Sequence, residues 1–261
     1  MELKTKDMYG SLPIPWEEGR LNEKEMKFLW DAIENADTSH DMMKELAGNI
    51  HKSLKIYDKD NWFFSSVLLP LVAKDFYGKW ENYYKYRIAK EESLPEFQLT
   101  KLWVNFQKAG EFNPFHNHTG LYSFVIFMKI PTDWKQQHSL PIASNSNSTS
   151  TSDFQFIFVK QGVYPKPSHN IRLGSKDEGR MLFFPAKQHH QVYPFYGTDE
   201  ERITISGNIA IKEDEEGEIN LISGRKESTT DPEQMKKMVK DYMNNWLDSV
   251  SKTELYLNKD E

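Results

Sequence analysis

The 261-residue sequence predicts an α+β chain: an N-terminal helical flank, then a small β-barrel or sandwich, then a C-terminal helix. Two observations carry this. Apolar residues recur at helical spacing through the first ~95 positions, and from about Phe97 their period changes to two. Beyond that point short aromatic and β-branched runs alternate with turn signals, the pattern of an all-β sandwich or barrel. The expected division is a helical flank over residues 1–96, a β core over 97–212, and an acidic linker with a terminal helix over 213–261.

The first helix is signalled by Asn22 and Glu25, spaced as a capping box, with Met26, Leu29, Trp30 and Ile33 on one face. Met43, Leu46, Ile50 and Leu54 make a second stripe at helical spacing. Trp62 to Tyr84 is apolar almost all round and contains Pro70, so a buried, kinked helix is expected there. These stripes read as core faces that pack against a sheet. Strands are expected over Leu99–Phe106, Leu121–Ile130, Phe154–Val159, Arg180–Phe184, Gln191–Tyr193 and Arg202–Ile211. Between them, Ser144 to Ser152 is polar and low in complexity, with nothing to bury, and is expected to be a mobile loop. The acidic run Glu213 to Glu218 ends the β unit. Asp231-Pro232-Glu233 then opens a last helix with Met235, Met238, Val239, Tyr242 and Trp246 along one side.

Composition narrows the chemistry. A net charge of -6 argues against general binding to a nucleic-acid backbone. With no cysteine there are no disulfides, thiolate nucleophiles, zinc ribbons or Fe–S clusters, so any metal must be held by His, Asp or Glu. Met1 to Gly10 has no apolar leader core, and no run approaches the ~20 apolar residues of a membrane span. The expected location is the cytoplasm (that of the host, if the chain is phage-encoded), with no membrane partner. The amphipathic terminal helices suit a homodimer.

The informative stretch is Gly110-Glu-Phe-Asn-Pro-Phe-His116-Asn-His118-Thr-Gly120. Residues two apart on a strand project from the same face, so His116 and His118 can chelate one metal ion. A third ligand must come from elsewhere, and Pro185-Ala-Lys-Gln-His189-His190 offers it. Only one of His189 and His190 can face inward from an extended backbone, and the spacing favours His190. His40, His51, His138 and His169 stand in helix or loop contexts and read as ordinary surface residues. Along the last strand Ile203, Ile205, Ile209 and Ile211 fall on one face, and Arg202, Thr204, Ser206 and Asn208 on the other. A polar face with an Arg suits an interior that receives a carboxylate, through a bidentate guanidinium and a hydroxyl donor. The competing reading pairs Arg202 on the surface with Asp199, Glu200 or Glu201.

Gly-x5-His-x-His followed by Gly179-x5-Pro185-x4-His190 resembles the two half-motifs of cupins, the double-stranded β-helix (jelly-roll) superfamily. The chain departs from the cupin pattern in lacking a Glu over Thr119 to Ser123 and in having Lys187 where Gly is favoured. A closer resemblance is to iron(II)/2-oxoglutarate oxygenases, in a subgroup with many bacterial and phage members. It rests on Trp103-Val-Asn105, His116-x-His118, Phe184-Pro185, His190 and Arg202-Ile-Thr204-Ile-Ser206, spanning residues ~100–211.

This resemblance implies a double-stranded β-helix barrel and an oxidoreductase of the dioxygenase kind, with Fe(II) and 2-oxoglutarate as cofactors. O2 would be the co-substrate, and an unidentified primary substrate would be hydroxylated. His116, His118 and His190 become the catalytic metal ligands. Arg202, twelve residues after His190, grips the distal carboxylate of 2-oxoglutarate. Thr204, Asn105 and Tyr122 are expected on the cofactor side, with Lys101 and Arg180 as further wall residues. Most of the wider superfamily has a carboxylate where this chain has His118. Three arrangements are open: a three-His centre, a site completed by water or a distant carboxylate such as Glu111, or a His118 that only supports the centre. The subgroup's own His-x-His favours the first. Two other functions fit the motifs, a cupin-type three-His dioxygenase or isomerase without 2-oxoglutarate and a non-enzymatic ligand-binding barrel.

Overall fold

The computed structural model describes residues 16–79, 94–147, 149–158, 168–212 and 221–222. The expected C-terminal helix and the acidic run before it lie outside these residues. The chain divides into two compact units. Among the described residues one contains 59–79, 94–99, 209–212 and 221–222, and the other 16–58 and 100–208.

The second unit holds the barrel. Its strands are β1 (Glu17–Arg20), β2 (Asp37–Asp41), β3 (Lys52–Lys55), β6 (Asn113–His116), β7 (Tyr122–Lys129), β8 (Phe154–Ile157), β9 (Ser168–Ile171), β10 (Arg180–Pro185) and β11 (His190–Val192). Most of β5 (Phe97–Gln107) and β12 (Arg202–Ile211) belongs to it as well. Two sheets form, ordered β1-β10-β7-β12-β5-β3-β2 and β6-β11-β8-β9. From β5 to β12 the chain passes from one sheet to the other and back, which is the winding of a double-stranded β-helix. Val125, Phe127, Leu182 and Phe184 of the larger sheet meet Phe154, Phe156 and Ile171 of the smaller in one apolar cluster, with Trp16 stacked on Phe156 at 4.6 Å. Almost every residue of β7 and β10 is buried, so these strands read as continuous apolar runs rather than alternating ones.

Helix α1 (Glu23–Glu34) starts as its sequence requires. Glu25 N–H donates to Asn22 Oδ1 at 2.9 Å and Asn22 N–H to Glu25 Oε2 at 2.8 Å. The second expected helix does not form. Met43–Glu45 is a single 3-10 turn, and Leu54 lies on β3 opposite Val104. Gly48 and Asn49 weaken a helix at its centre, and ladder pairing with β5 takes up Leu54 instead. In the other unit a π-helical stretch, Phe64–Leu68, runs into α2 (Leu69–Lys79). The irregularity sits just ahead of Pro70, where the i→i−4 bond cannot form. The same unit carries the ribbon of β4 (Leu94–Pro95) with β13 (Leu221–Ile222) and an edge-on contact of Phe76 with Phe97.

Gly207 leaves no room for a side chain. A Cβ on Gly207 would stand 2.6 Å from Phe124 Cζ and 2.8 Å from the Lys101 carbonyl oxygen. Gly207→Ala must therefore displace a buried ring and a neighbouring strand together, and is expected to cost about 1–3 kcal/mol. A urea midpoint equal to wild type would contradict this.

Candidate metal centre

The cross-strand register brings two histidines together. β6 and β11 pair antiparallel with His116 opposite His190, so both imidazoles leave the same face of the small sheet. β6 ends at His116, but the chain runs on so that His118 stays beside them. Its N–H donates to the Ala186 carbonyl at 2.8 Å, and Lys187 Nζ donates to the His118 carbonyl at 3.3 Å. One ring nitrogen from each of His116, His118 and His190 lies within 4.8 Å of the others.

Tautomers follow from the partners. His116 Nδ1 lies 2.6 Å from the Pro114 carbonyl, and His190 Nδ1 lies 3.0 Å from that of Gln188. A carbonyl only accepts, so both Nδ1 atoms carry the proton and both Nε2 atoms keep their lone pairs. The Nε2 atoms of His118 and His190 face each other at 3.2 Å. Two nitrogens ~2.1 Å from one ion and at right angles to each other stand ~3.0 Å apart, so this spacing suits shared coordination.

The rings are walled by Trp103 against His118 and by Phe154 and Phe184 against His190. Burial drives all three pKa values down: His118 to about 3, His190 well below its ordinary value, and His116 below 6.5. At neutral pH they are uncharged imidazoles, the form that binds metal.

The sign of the resulting pH dependence is fixed. The unfolded chain takes up protons near pH 6.5 that the native triad refuses, so the triad's contribution is intact above that pH and is lost as pH falls toward 3. Metal-free protein is expected to show a falling urea midpoint between pH 7 and 5.5, above the carboxylate range. A midpoint flat or rising over that interval would contradict the neutral triad.

The triad opens into a cavity of about 230 Å³. Arg202, Thr204, Ser206 and Asn208 of β12 line it, as do Lys101, Trp103 and Asn105 of β5. Lys101 also pairs with Glu45 at 2.7 Å, and Asn105 Oδ1 accepts from Ser53 Oγ at 2.7 Å. Arg202 is 1% exposed and does not pair with the acidic residues before it: Glu200 bonds Lys129, and Glu201 bonds His51. Burial lowers the guanidinium to about 10, with Asp153 drawing it back up, so it remains a cation at neutral pH. Its Nε and Nη1 have no hydrogen-bond partner. Buried donors on a cation are costly to leave unmade, and a carboxylate entering the cavity would satisfy them.

Two expected wall residues lie elsewhere. Tyr122 stacks on Phe183 at 4.9 Å, because strand alternation places it on the opposite face of the larger sheet from Val125 and Phe127. Arg180 is bonded to Glu18 and Asp177, away from the cavity. His189 turns out of the triad and lies flat on Phe115, ring centroids 4.6 Å apart.

Three other groups are engaged more deeply than local pattern implies. His51 bridges Glu111 and Glu201 at 3.1 and 3.0 Å. His138 Nε2 lies 3.0 Å from Asp153 Oδ1, and neither side chain is an ordinary surface group. The end of the serine-rich segment is built into the core, with Ser150 and Ser152 both buried. Their hydroxyls satisfy buried donors, a role that hydropathy does not register.

Residues 101–208 match the family described as "Putative 2OG-Fe(II) oxygenase". Among solved structures, the chain is similar to a Pseudomonas putida prolyl-4-hydroxylase at 13% identity, covering 76% of this chain and 93% of that one, with a TM-score of 0.42. It is similar at 12% identity to a viral collagen prolyl hydroxylase from Paramecium bursaria Chlorella virus-1 in complex with 2-oxoglutarate, with 76% and 97% covered and a TM-score of 0.41. HygX from Streptomyces hygroscopicus, with nickel, 2-oxoglutarate and hygromycin B bound, shares 8% identity over 76% and 83%, with a TM-score of 0.40. No curated protein sequence matches the chain. The three neutral imidazoles and the unpartnered guanidinium fit the two cofactors that the matched family's description names, iron(II) and 2-oxoglutarate.

Proposed function

We propose, from a core that matches the 2OG-Fe(II) oxygenase family over residues 101–208, that this chain hydroxylates a primary substrate at the expense of 2-oxoglutarate and O2. One observation carries the reading. A three-imidazole donor set and a buried arginine with two unpartnered nitrogens line the same small cavity. The balanced reaction converts 2-oxoglutarate, O2 and R–H into succinate, CO2 and R–OH. Iron(II), when bound, supplies the site at which O2 is reduced.

The chain's own residues do the rest. His116, His118 and His190 present neutral nitrogens to the ion. The carbonyls of Pro114 and Gln188 hold two of those rings in the ligating tautomer. Arg202 orients the cosubstrate through its second carboxylate, and Thr204 and Asn105 add polar groups along the same wall. Trp103, Phe154 and Phe184 keep water from the rings. Tyr122 has no part in this scheme.

The test is succinate formation in the presence of Fe(II), ascorbate and 2-oxoglutarate, with O2 consumption measured alongside. Slow uncoupled turnover that needs both cofactors is expected even without the primary substrate. A three-histidine centre also favours a second reading, a dioxygenase that needs no 2-oxoglutarate. O2 uptake unaffected by omitting 2-oxoglutarate would establish that one instead.

A further inference from the structure

The serine-rich segment ends in a device that aims Arg202. A guanidinium has five N–H donors, two of them on Nη2. Arg202 Nη2 donates to the Ser152 carbonyl at 3.0 Å and to Ser152 Oγ at 2.6 Å, which uses both. The Phe195 ring covers one face, 4.9 Å from Cζ. With Nη2 fixed and one face covered, the donors on Nε and Nη1 are left unpaired. Ser152 therefore sets which nitrogen of the guanidinium is held and where the other two point.

Ser152 is held there against its own backbone preference. It is fully buried and adopts φ 73°, the left-handed region that a side-chain-bearing residue avoids. Its neighbours enforce the conformation. Ser152 N–H donates to the Pro194 carbonyl at 2.8 Å, Asp153 N–H to Ser150 at 3.0 Å, and Tyr193 N–H to Asp153 at 2.9 Å. The Asp153 carboxylate, also fully buried, accepts from Asn170 Nδ2 at 2.8 Å and meets His138 Nε2 at 3.0 Å. Asn170 Nδ2 reaches Ser150 Oγ at 3.1 Å as well. Strain locked in place by a satisfied polar network is typical of a position kept for function.

We propose that Ser152 is the positioning residue for the dicarboxylate site, setting the orientation of Arg202 through its hydroxyl and carbonyl. This rests on the proposed function, because it takes 2-oxoglutarate as the ligand. Glycine adopts φ 73° without cost and keeps the carbonyl, but loses the Cβ together with the hydroxyl. Alanine removes the hydroxyl and keeps the strain.

The experiment is anaerobic calorimetric titration of the Fe(II)-loaded protein with 2-oxoglutarate, for wild type, Ser152→Gly and Ser152→Ala. Fe(II) affinity and the Tm of each metal-free protein are measured alongside. Both variants are expected to bind 2-oxoglutarate about tenfold more weakly with Fe(II) affinity unchanged. The Tm should hold or rise for glycine and fall for alanine. Wild-type affinity in Ser152→Gly would overturn the proposal, as would equal losses of Fe(II) and 2-oxoglutarate binding. Absence of 2-oxoglutarate binding in the wild-type arm would instead remove the proposed function itself.

Discussion

Replacing Arg202 by methionine is expected to abolish tight 2-oxoglutarate binding while leaving the metal-free protein as stable as wild type, or more so. The two halves have different causes. Without ligand, a fully buried cation with two unpartnered nitrogens is a desolvation cost only partly offset by Ser152 and Asp153, and an apolar side chain of similar length removes it. With ligand, the same nitrogens become partners of a carboxylate, and losing a desolvated charge pair costs at least about 2 kcal/mol, some thirtyfold in affinity. Calorimetry and thermal melts read the two halves separately. Unimpaired 2-oxoglutarate binding would remove Arg202 from the site. A collapse in Tm would show that the guanidinium holds the fold instead.

His190→Ala is expected to give the largest loss of all. His190 is 3% exposed, sits opposite His116 in the β6/β11 register and faces His118 through Nε2. Its removal leaves two donors where the ion needs three, so stoichiometric Fe(II) retention and succinate formation should both disappear. Elemental analysis and a succinate assay check this, and full turnover in the variant would sink the metal assignment. His118→Asp is the informative companion. It recreates the two-His-one-carboxylate set that non-haem iron sites commonly use, and so should retain iron. If His118→Ala keeps wild-type iron affinity, His118 is not a ligand and the site is completed otherwise.

The parts of this site that follow from side-chain alternation could be read in the sequence. Period two along β12 put Arg202, Thr204, Ser206 and Asn208 on one face, and these four residues do line the cavity. The same rule allowed only one of His189 and His190 to face inward, and His189 lies on Phe115. What failed depended on pairing between distant segments. Tyr122 adjoins the histidine motif in sequence, yet the pairing of β7 with β10 sets its ring on Phe183. The stripe from Met43 to Leu54 has helical spacing, but β5 offers a ladder partner that no local pattern reveals. Ser152 was hidden for a third reason. A low-complexity polar run signals solvent only when its hydroxyls have no buried donor to meet, and here Arg202 supplies one.

The central claim is that one ion at His116, His118 and His190 shares its cavity with a 2-oxoglutarate held by Arg202. The most direct measurement is an anaerobic titration of the Fe(II)-reconstituted protein with 2-oxoglutarate, followed by visible absorption. The account predicts a weak metal-to-ligand charge-transfer band that saturates at one equivalent and is absent from His190→Ala. Stoichiometric iron with no band at any 2-oxoglutarate concentration, or no stoichiometric iron at all, would contradict it.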